Sequence, residues 1–426
     1  KEALEEKENN VAGGVDLNKC VDNYFEVREK IYANGYVEGL DFGKEPGGKR
    51  VSYVEAVPSE SSAGIRIAIG NGISFSSSKE ECNRALGKPI RETEKCRVYK
   101  YKDDYEIQIE FAGDEIKTMG IYLKNKETAK KLYTVGEFSM RGCQIVNYNN
   151  NYQKTGTVKI PEDTVSIEED AFKADSKNFD ISPKGIKRIK LEIPKDVYIE
   201  PYAFRSMGPA DITFEEGRKE IEEGAFASIG SDYFNIKITL PSSVKTIQKR
   251  SFSNEVTGNN LTVNLNKGLE IIGDEALCGL KCDLPKTIRI IKDGALKMWE
   301  PKGNFSLPEG VEEIGSHCFW WDGTEKPFRI PSTVKKIGIN PFEFGDSALP
   351  EVQVDPRNPY FKSDENGWLL SKDGKIVYSG WVSSQHNKIP DGVEYLACSL
   401  TFSPDEGVVP LEYPLSYKGE LKEEAE

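Results

Sequence analysis

Histidine, the side chain most often used for general-base and zinc chemistry, occurs only twice in this chain, at His317 and His386. His317 lies inside a repeated phrase, next to Cys318, where we expect a structural role. His386 follows Ser383 and Ser384, but near neighbours in sequence rarely form a Ser–His pair. We therefore predict that the chain has no catalytic residue and is not an enzyme.

Carboxylates are abundant, and their pairs are best interpreted as turn residues. Asp103-Asp104 and Asp114-Glu115 lie between predicted strands, where such residues favour turns. The run Asp364-Glu365-Asn366-Gly367 could hold calcium, but it lacks the regular ligand spacing of a calcium loop, so a turn is favoured. The sequence has no glycine loop of the phosphate-binding pattern. We predict no metal site and no cofactor.

The eight cysteines do not form a dense disulfide scaffold. Cys278 and Cys282 are the one close pair, and CGLKC lacks the second half of a zinc motif. Cys318 lies where other copies of the repeated phrase carry Ala, so we interpret it as a small core residue. We expect buried thiols, with a disulfide as the alternative.

Length, composition and charge exclude several classes of partner. At 426 residues, with 38% hydrophobic and 30% charged residues, the chain is typical of a soluble protein with two or more folded units. A net charge of -13 argues against nucleic acid and against anionic lipid. No apolar run approaches the roughly 18 residues of a membrane helix. The charged start, KEALEEKE, resembles a tether, which predicts an upstream signal or anchor segment; an arbitrary boundary is the alternative.

A thirteen-residue phrase recurs along the second half of the chain. Clear copies begin at Ile160, Leu240, Leu284, Leu307 and Ile330, and weaker copies begin at Ile193, Phe214, Leu265 and Ile389. Self-similarity at spacings of roughly 19–32 residues is typical of a stacked-repeat architecture. One copy alone cannot bury enough apolar surface to fold, so several copies must stack.

Each copy contains the residues that a short coil of chain needs. Apolar residues alternate ahead of the phrase, as in Phe234, Ile236 and Ile238, which predicts a short strand with one buried face. Proline ends the strand in most copies because it has no N–H to donate to a sheet. A second apolar pair, such as Val244 with Ile247, follows, and a small–aromatic pair closes the coil.

The recurring pattern I/L-P-x-x-V-x-x-I…A-F resembles the BspA-like leucine-rich repeat of bacterial cell-surface proteins, over residues 157–402. An insertion at 351–387 is predicted to form two hairpins, with turns near Asp364–Gly367 and at Lys372–Gly374. Its family motif N-x-x-F-x-S-x-x-G-x-L is matched by Asn358, Phe361, Ser363, Gly367 and Leu369, with one extra residue between Ser363 and Gly367. The resemblance implies a leucine-rich repeat solenoid of short stacked β-strands with short helical turns. A regular parallel β-helix is the alternative, and the Ala-Phe pairs favour the leucine-rich solenoid.

Residues 51–125 are organised differently. Ser78 and Glu81 fit a capping box, which predicts a helix through Leu86 that ends at Gly87. Alternating apolar residues predict antiparallel strands beside this helix, so we expect a small α+β domain. The order of these elements, together with S-x-x-E…L-G-x-P, resembles beta-lactamase inhibitory protein and the SmpA-like envelope lipoproteins.

The predicted organisation has five parts. They are a tether and linker at 1–50, the helix-plus-sheet domain at 51–125, a junction or cap at 126–156, the solenoid at 157–402 and a charged tail at 403–426. The family resemblance implies that the protein is extracellular or tethered to the cell surface.

Two surfaces are candidates for partner binding. Trp320 and Trp321 are adjacent, so both cannot point into a thin core, and exposed aromatic rings are enriched in protein and sugar contacts. Rings that cover the solenoid edges are the alternative interpretation.

The second surface is a row of outward-facing strand residues that align if the strands stack in register: Lys159, Glu192, Thr213, Thr239, Asn264, Asp283, Ser306 and Arg329. Its mixed charge suits a protein partner better than a polyanion, with an ordinary solvated face as the alternative.

The leading hypothesis is a non-catalytic surface or secreted protein that binds other proteins, with adhesion implied by the family resemblance. Carbohydrate is the alternative class of ligand. A rigid envelope spacer that binds through its N-terminal domain is a second hypothesis, and a hydrolase is a third.

Overall fold

A computed structural model describes a large part of the chain. The described residues are 14–16, 40–44, 51–56, 66–69, 73–101, 105–123, 133–150, 152–174, 186–229, 234–253, 260–299, 307–321, 328–344, 352–382, 387–402 and 410–421. They divide into two compact units. The first comprises Lys1–Asn150, Lys159–Ala171 and Asp196–Ile199, and the second comprises Asn151–Val158, Phe172–Lys195 and Glu200–Glu426.

Before the first repeat, the described residues contain one helix among short strands. In order they are β1 Gly14–Asp16, β2 Leu40–Lys44, β3 Val51–Ala56, β4 Arg66–Ile69, β5 Ile73–Ser74, α1 Lys79–Leu86, β6 Arg91–Glu92, β7 Cys96–Tyr101, β8 Tyr105–Ala112, β9 Glu115–Leu123, β10 Tyr133–Val135, β11 Phe138–Arg141 and β12 Gln144–Tyr148. Six of these strands form one antiparallel sheet in the order β2-β3-β9-β8-β7-β6.

Strands continue through the repeats. The first group is β13 Gly156–Lys159, β14 Ser166–Ile167, β15 Ile189–Ile193, β16 Tyr198–Ile199, β17 Ala210–Phe214, β18 Glu220–Ile221, β19 Ile236–Thr239, β20 Thr246–Ile247, β21 Leu261–Asn264, β22 Ile271–Ile272, β23 Ile290–Ile291, β24 Leu296–Lys297 and β25 Glu313–Ile314. The second group is β26 Phe319–Trp321, β27 Phe328–Ile330, β28 Lys336–Ile337, β29 Phe342–Phe344, β30 Val352–Val354, β31 Phe361–Ser363, β32 Leu369–Ser371, β33 Ile376–Ser379, β34 Trp381–Val382, β35 Tyr395–Leu396, β36 Thr401–Phe402 and β37 Gly419–Glu420.

The helix α1 begins and ends at the residues that the sequence predicts. The Ser78 hydroxyl accepts a hydrogen bond from the Glu81 N–H at 3.2 Å, and the Glu81 carboxylate accepts one from the Ser78 N–H at 2.7 Å. This confirms the predicted capping box. At the other end, the Gly87 N–H donates to the Asn83 carbonyl, and Gly87 has a positive φ of 85°.

A disulfide in the first unit was not identified from the sequence. It joins Cys96, the first residue of β7, to Cys143, which immediately precedes β12. Val98 and Val165 pack with the two half-cystines in one buried cluster. The bond therefore links the antiparallel sheet to the strands β11 and β12 that follow it.

Polar side chains fill the core of the first unit where β12 pairs with β14. Gln108 on β8 donates a hydrogen bond to the Gln144 side-chain carbonyl at 2.7 Å, and Gln144 donates to the Ser166 hydroxyl at 3.2 Å. Arg141 forms a buried ion pair with Glu168. Because these buried groups have partners, they fix which strand lies beside which.

Two parallel ladders of short strands run through the repeats, as expected for a solenoid. One has the order β13-β15-β17-β19-β21, and the other has the order β18-β20-β22-β23-β25-β28. Buried phenylalanines at the end of each phrase stack with ring centroids 4.9–5.4 Å apart. The stacked pairs are Phe172 with Phe204, Phe204 with Phe226, Phe226 with Phe252, and Phe319 with Phe342. Leu277 and Leu296 hold the equivalent buried position in the two intervening coils.

Most coils turn at the proline of their phrase, and Glu215 and Asn266 hold that position in two others. The N–H three residues after the proline donates to the proline carbonyl, as Val244 does to Pro241 and Val334 does to Pro331, both at 3.3 Å. Proline suits this place because it has a fixed φ and needs no partner for an N–H. The turn carries the chain from the long-strand ladder to the short-strand ladder.

A second turn precedes the small–aromatic pair, and its third residue has a positive φ in successive coils. These residues are Asp170, Tyr202, Gly224, Arg250, Glu275, Gly294, His317 and Asn340. A type II turn requires this conformation at its third residue, and Pro201 occupies the second position of one such turn. A left-handed residue cannot continue a right-handed helix. Among the described residues of the solenoid, these segments are therefore four-residue turns and not the predicted short helical turns.

Hydrogen bonds between successive coils hold these turns in place. The Arg250 N–H donates to the Asp274 carbonyl, and the Glu275 N–H donates to the Asp293 carbonyl, both at 2.8 Å. Such contacts offset the cost of a positive φ in a residue with a side chain. The stacking of coils therefore determines the turn even where the residue is not glycine or asparagine.

The insertion forms the two predicted hairpins. β31 pairs antiparallel with β32, and β32 pairs antiparallel with β33. β33 then pairs parallel with β35, so the second hairpin joins a sheet with the strand of the last predicted repeat. Asn358 is fully buried, donates to the carbonyls of Pro331 and Val334, and accepts from the N–H groups of Tyr360 and Phe361.

Residues 410–421, within the predicted charged tail, form one more coil. β37 pairs parallel with β35, and the Tyr417 N–H donates to the Pro414 carbonyl in the turn used by the other phrases. Leu415 and Tyr413 are exposed on this coil. The sequence YPLSYKGEL is thus a further, divergent copy of the repeat.

Candidate interaction surface

The long-strand ladder of the second unit presents a row of outward-facing side chains. Glu192 lies beside Thr213, and Thr239 lies beside Asn264, as paired residues of neighbouring parallel strands. The Asn264 side-chain amide donates to the Thr239 hydroxyl at 3.2 Å. Buried residues flank Glu192, Thr213 and Thr239 on both sides, and buried Val263 precedes Asn264, so the row stands on a fixed apolar layer.

The remaining members of the predicted row are placed differently. Lys159 is exposed at the end of β13, the first strand of this ladder, whereas Arg329 is exposed on β27, which among the described strands pairs with β30 alone. Asp283 is exposed but lies in no strand, because its phrase follows the previous one after only 19 residues and leaves no room for a long strand. Ser306 lies outside the described residues. The row is therefore continuous from β15 to β21 and not along the whole solenoid.

A second outward row lies on the same ladder and was missed in the sequence. Asp211 pairs with Lys190 on one side and Lys237 on the other, and Lys237 pairs with Thr262. Arg188 donates to the Asp211 carboxylate at 2.9 Å, and this hydrogen bond lowers the pKa of Asp211. The signal was available, since these residues lie two positions before the predicted row and so share its face.

Charged side chains form a ladder of ion pairs along the short strands. Glu312 accepts from Arg289 of the preceding coil at 2.6 Å and from Lys335 of the following coil at 2.7 Å. Lys245 pairs with Glu270 in the same way, at 2.9 Å. The hydrogen bonds from Lys335 and Arg289 lower the pKa of Glu312. These cations and carboxylates neutralise each other, so this edge is a weaker candidate for a charged ligand than the outward rows.

The tryptophans divide into two groups. Trp299 and Trp368 are only 3% and 2% exposed, and the Trp299 indole N–H donates to the Cys282 sulfur at 3.4 Å, so both are core residues. Trp320 and Trp321 lie on β26, where the backbone of Trp320 pairs with Lys297 and that of Trp321 pairs with Phe344. The side chains of Trp320 and Trp321 lie outside the described part of the chain.

The residues considered for catalysis and metal binding have structural roles wherever they are described. His317 holds the positive-φ position of its turn, a conformation in which His is enriched. Asp364 accepts hydrogen bonds from the N–H groups of Asn366 and Trp368, as a turn residue does. His386, Ser383 and Ser384 lie outside the described residues.

The cysteines of the repeats are buried thiols. Cys278, Cys282 and Cys318 are each at most 9% exposed. Burial raises the pKa of Cys318, which keeps the thiol protonated and unreactive. Within the described ranges, no three His, Cys, Asp or Glu side chains lie close enough together to hold a metal ion.

Comparison with known proteins identifies the repeats. Residues 185–281 and 232–349 match the model of the BspA type leucine rich repeat region, in six copies. Residues 185–349 therefore consist of repeats of the BspA type. The BspA-type repeats therefore include the long-strand ladder from β15 to β21, which carries both outward rows.

One solved structure is similar to this chain over much of the length of both chains. It is a leucine rich cell surface protein from Faecalibacterium prausnitzii A2-165, 15% identical, with 75% of this chain and 99% of that chain covered and a TM-score of 0.23. Likeness at this level supports no inference about the BspA-type repeats of this chain. No curated protein matches the chain. Among the described residues, no helix has the length and apolar character that crossing a membrane requires.

Proposed function

We propose that this protein is secreted or held at the bacterial surface, where its BspA-type repeats bind a protein partner without catalysing a reaction. The observation that carries the proposal is the alignment of Glu192 with Thr213 and of Thr239 with Asn264 on one parallel ladder. Parallel stacking makes such a face broad and rigid, so little conformational entropy is lost when a partner binds.

The composition of the two outward rows favours a protein over a carbohydrate. Together the two rows contain threonine, asparagine and charges of both signs, from Lys190 and Glu192 at one edge to Thr262 and Asn264 at the other. Rings that could stack on a sugar are absent from these positions in the described strands. Mixed charge gives electrostatic complementarity to a polypeptide surface and repels neither sign strongly.

The disulfide between Cys96 and Cys143 supports the proposed location. Disulfides persist in oxidising compartments and are rare in the reducing cytosol. The turn position of His317 supports a non-catalytic role, because backbone conformation accounts for this residue without any reaction.

We also propose that residues 51–125 form an α+β domain. α1 and the antiparallel order β2-β3-β9-β8-β7-β6 support this assignment. Because β12 pairs with β14, removal of the chain before residue 157 would leave β14 with an open edge. A fragment of residues 157–426 should therefore melt at a lower temperature than the whole chain, as measured by circular dichroism.

The test of the protein-binding face places arginines on it. In the double variant Thr213→Arg and Thr239→Arg, both side chains point away from the core, so the melting temperature should stay within a few degrees. Binding of the labelled protein to cultured epithelial cells should fall at least about tenfold, since two bulky charges would then lie at the contact. Glu365→Arg, on an exposed turn, adds the same charge and should leave binding unchanged.

Treatment of the cells separates the classes of partner. Protease digestion of the cell surface should abolish binding, and periodate oxidation of surface sugars should leave it intact. Equal binding by wild-type protein and the double arginine variant would contradict the proposed face. Loss of binding after periodate alone would point to carbohydrate.

Trp320 and Trp321 are a second proposed contact, as adjacent aromatic residues on β26. Replacing both with alanine should weaken cell binding without lowering stability if they contact the partner. A loss of several kcal/mol in the free energy of unfolding would instead assign them to the core.

A further inference from the structure

A groove of about 750 Å³ lies at the proline turns of three successive coils, away from the outward rows of β15 to β21. The rigid rings of Pro308, Pro331 and Pro356 form part of its wall, beside the apolar side chains of Leu307 and Ile330. Proline turns are fixed in shape, so the groove is formed before any ligand arrives. Its volume falls in the range typical of ligand pockets.

The two acidic side chains of this groove share one cation, Arg357. Asp355 accepts from the Arg357 guanidinium at 2.7 Å, and the hydrogen bonds from Arg357 lower the pKa of Asp355 to about 2. Glu309 lies 3.9 Å from the same guanidinium. Arg357 thus supplies a counter-charge for both carboxylates.

The basic side chains of the groove have no such counter-charge. Lys286 and Arg329 are both exposed and line the groove, and neither forms an ion pair with any described residue. Counted together with Arg357, the groove has three cations against the carboxylates of Glu309 and Asp355, so it is positive by one charge on a chain whose net charge is -13. An arginine presents a planar fork of donors that matches a carboxylate.

We propose that this groove binds an extended acidic segment of a polypeptide, with carboxylates on Arg329 and Lys286 and the peptide chain against the prolines. The proposal rests on the protein-binding function proposed above and names the chemistry of one contact. Among the described residues, those that line the groove include no aromatic ring, which favours a peptide over a sugar acid. The polar side chains of Gln353 and Ser363, also in the lining, face the same space as hydrogen-bonding groups.

Fluorescence anisotropy with two labelled peptides tests the groove directly. Hexaglutamate should bind to the full chain, and hexaglutamine, of the same length but without charge, should not. Arg329→Gln and Lys286→Gln should each weaken hexaglutamate binding by about fivefold, since each removes one charged contact. Lys249→Gln, which removes an exposed cation outside both the groove and the outward rows, is the matched control and should leave binding unchanged. Raising the salt concentration about tenfold should weaken binding as well.

Three results would overturn the proposal. They are equal binding of both peptides, hexaglutamate binding that Arg329→Gln and Lys286→Gln leave unchanged, and tighter binding of oligogalacturonate than of hexaglutamate. The double variant Thr213→Arg and Thr239→Arg separates this proposal from the one above. It should lose cell binding but retain hexaglutamate binding, so failure of either proposal is seen in its own assay.

Discussion

The first unit and the repeats of the second unit bury different kinds of side chain. Around β12 and β14, the first unit buries the amides of Gln108 and Gln144, an Arg141–Glu168 ion pair and a disulfide. The second unit buries stacked rings, with Phe226 between Phe204 and Phe252. A coil between two similar coils needs only apolar surface of the right size. In the first unit, β14 pairs with β12, a strand that does not belong to a repeat. The buried polar side chains named above define that pairing.

The comparison is tested most strongly by removing one ring from the column of stacked phenylalanines, Phe172, Phe204, Phe226 and Phe252. Phe226→Ala leaves a cavity between two stacked neighbours, at a side chain that is fully buried. We expect a loss of about 3–5 kcal/mol in the free energy of unfolding, measured by urea denaturation. Phe226→Leu is the matched control, because Leu277 and Leu296 hold the same position in other coils, and it should cost under about 1.5 kcal/mol. If both variants lose the same free energy of unfolding, the size of the apolar side chain does not decide the stability of this position, which would contradict the account.

The ion pair of the first unit provides the opposite test. Arg141→Met removes the partner of a carboxylate, Glu168, that is only 2% exposed. An uncompensated buried charge should cost about 3–4 kcal/mol, again by urea denaturation. The double variant Arg141→Met and Glu168→Met should recover much of that loss, because no charge is then left buried. If the single variant is as stable as wild type, the polar core does not hold the first unit together.

Removing the disulfide should have a smaller effect. Cys96→Ala with Cys143→Ala should lower the free energy of unfolding by about 2–3 kcal/mol, because the unfolded chain gains freedom. Cys278→Ala is the control, since Cys278 forms no disulfide. The difference in free energy of unfolding between this variant and wild type should be the same with and without a reducing agent. A wild-type protein that melts at the same temperature with and without a reducing agent would contradict this assignment.

The smallest effect concerns the exposed ladder of ion pairs. Hydrogen bonds from Lys335 and Arg289 hold the pKa of Glu312 below its ordinary value of 4.5. The contribution of this carboxylate to stability is therefore complete above about pH 4.5 and is lost as the pH falls through the folded-state pKa. Glu312→Gln should lower the urea midpoint slightly at pH 7.

The same difference should shrink in acid and at high salt. Glu365→Gln, on an exposed turn outside the ladder, is the control variant. A difference that stays constant between neutral and acid pH would show that Glu312 acts through packing and not through charge.

Much of the solenoid could be predicted because each coil repeats the same local signals. Alternating residues such as Ile236 and Ile238, the proline turns and the Phe column follow from period-two burial and from the missing proline N–H. The positive-φ position was missed. Gly224, Gly294 and Asn340 suggest it, but Tyr202 and Arg250 hold the same conformation only because neighbouring coils bond to their turns.

Features that depend on distant parts of the chain were also missed. Cys96 and Cys143 are 47 positions apart, and nothing local marks them as a pair. The coil at residues 410–421 lacks the Ala-Phe pair, and its charges resemble a tail until Lys418 is seen to pair with Glu394. Both outward rows follow from alternation, whereas the groove at Arg329 depends on how three coils meet.

Amide hydrogen exchange before and after reduction tests most directly whether the two units are held by different interactions. Breaking the Cys96–Cys143 bond should speed exchange at amides of β7 and of β11 to β12 in the first unit. Amides of β19 to β25, within the stacked repeats, should keep their protection. Equal loss of protection in both sets of strands would contradict the account, because the repeats would then depend on the disulfide and not on their own column of rings.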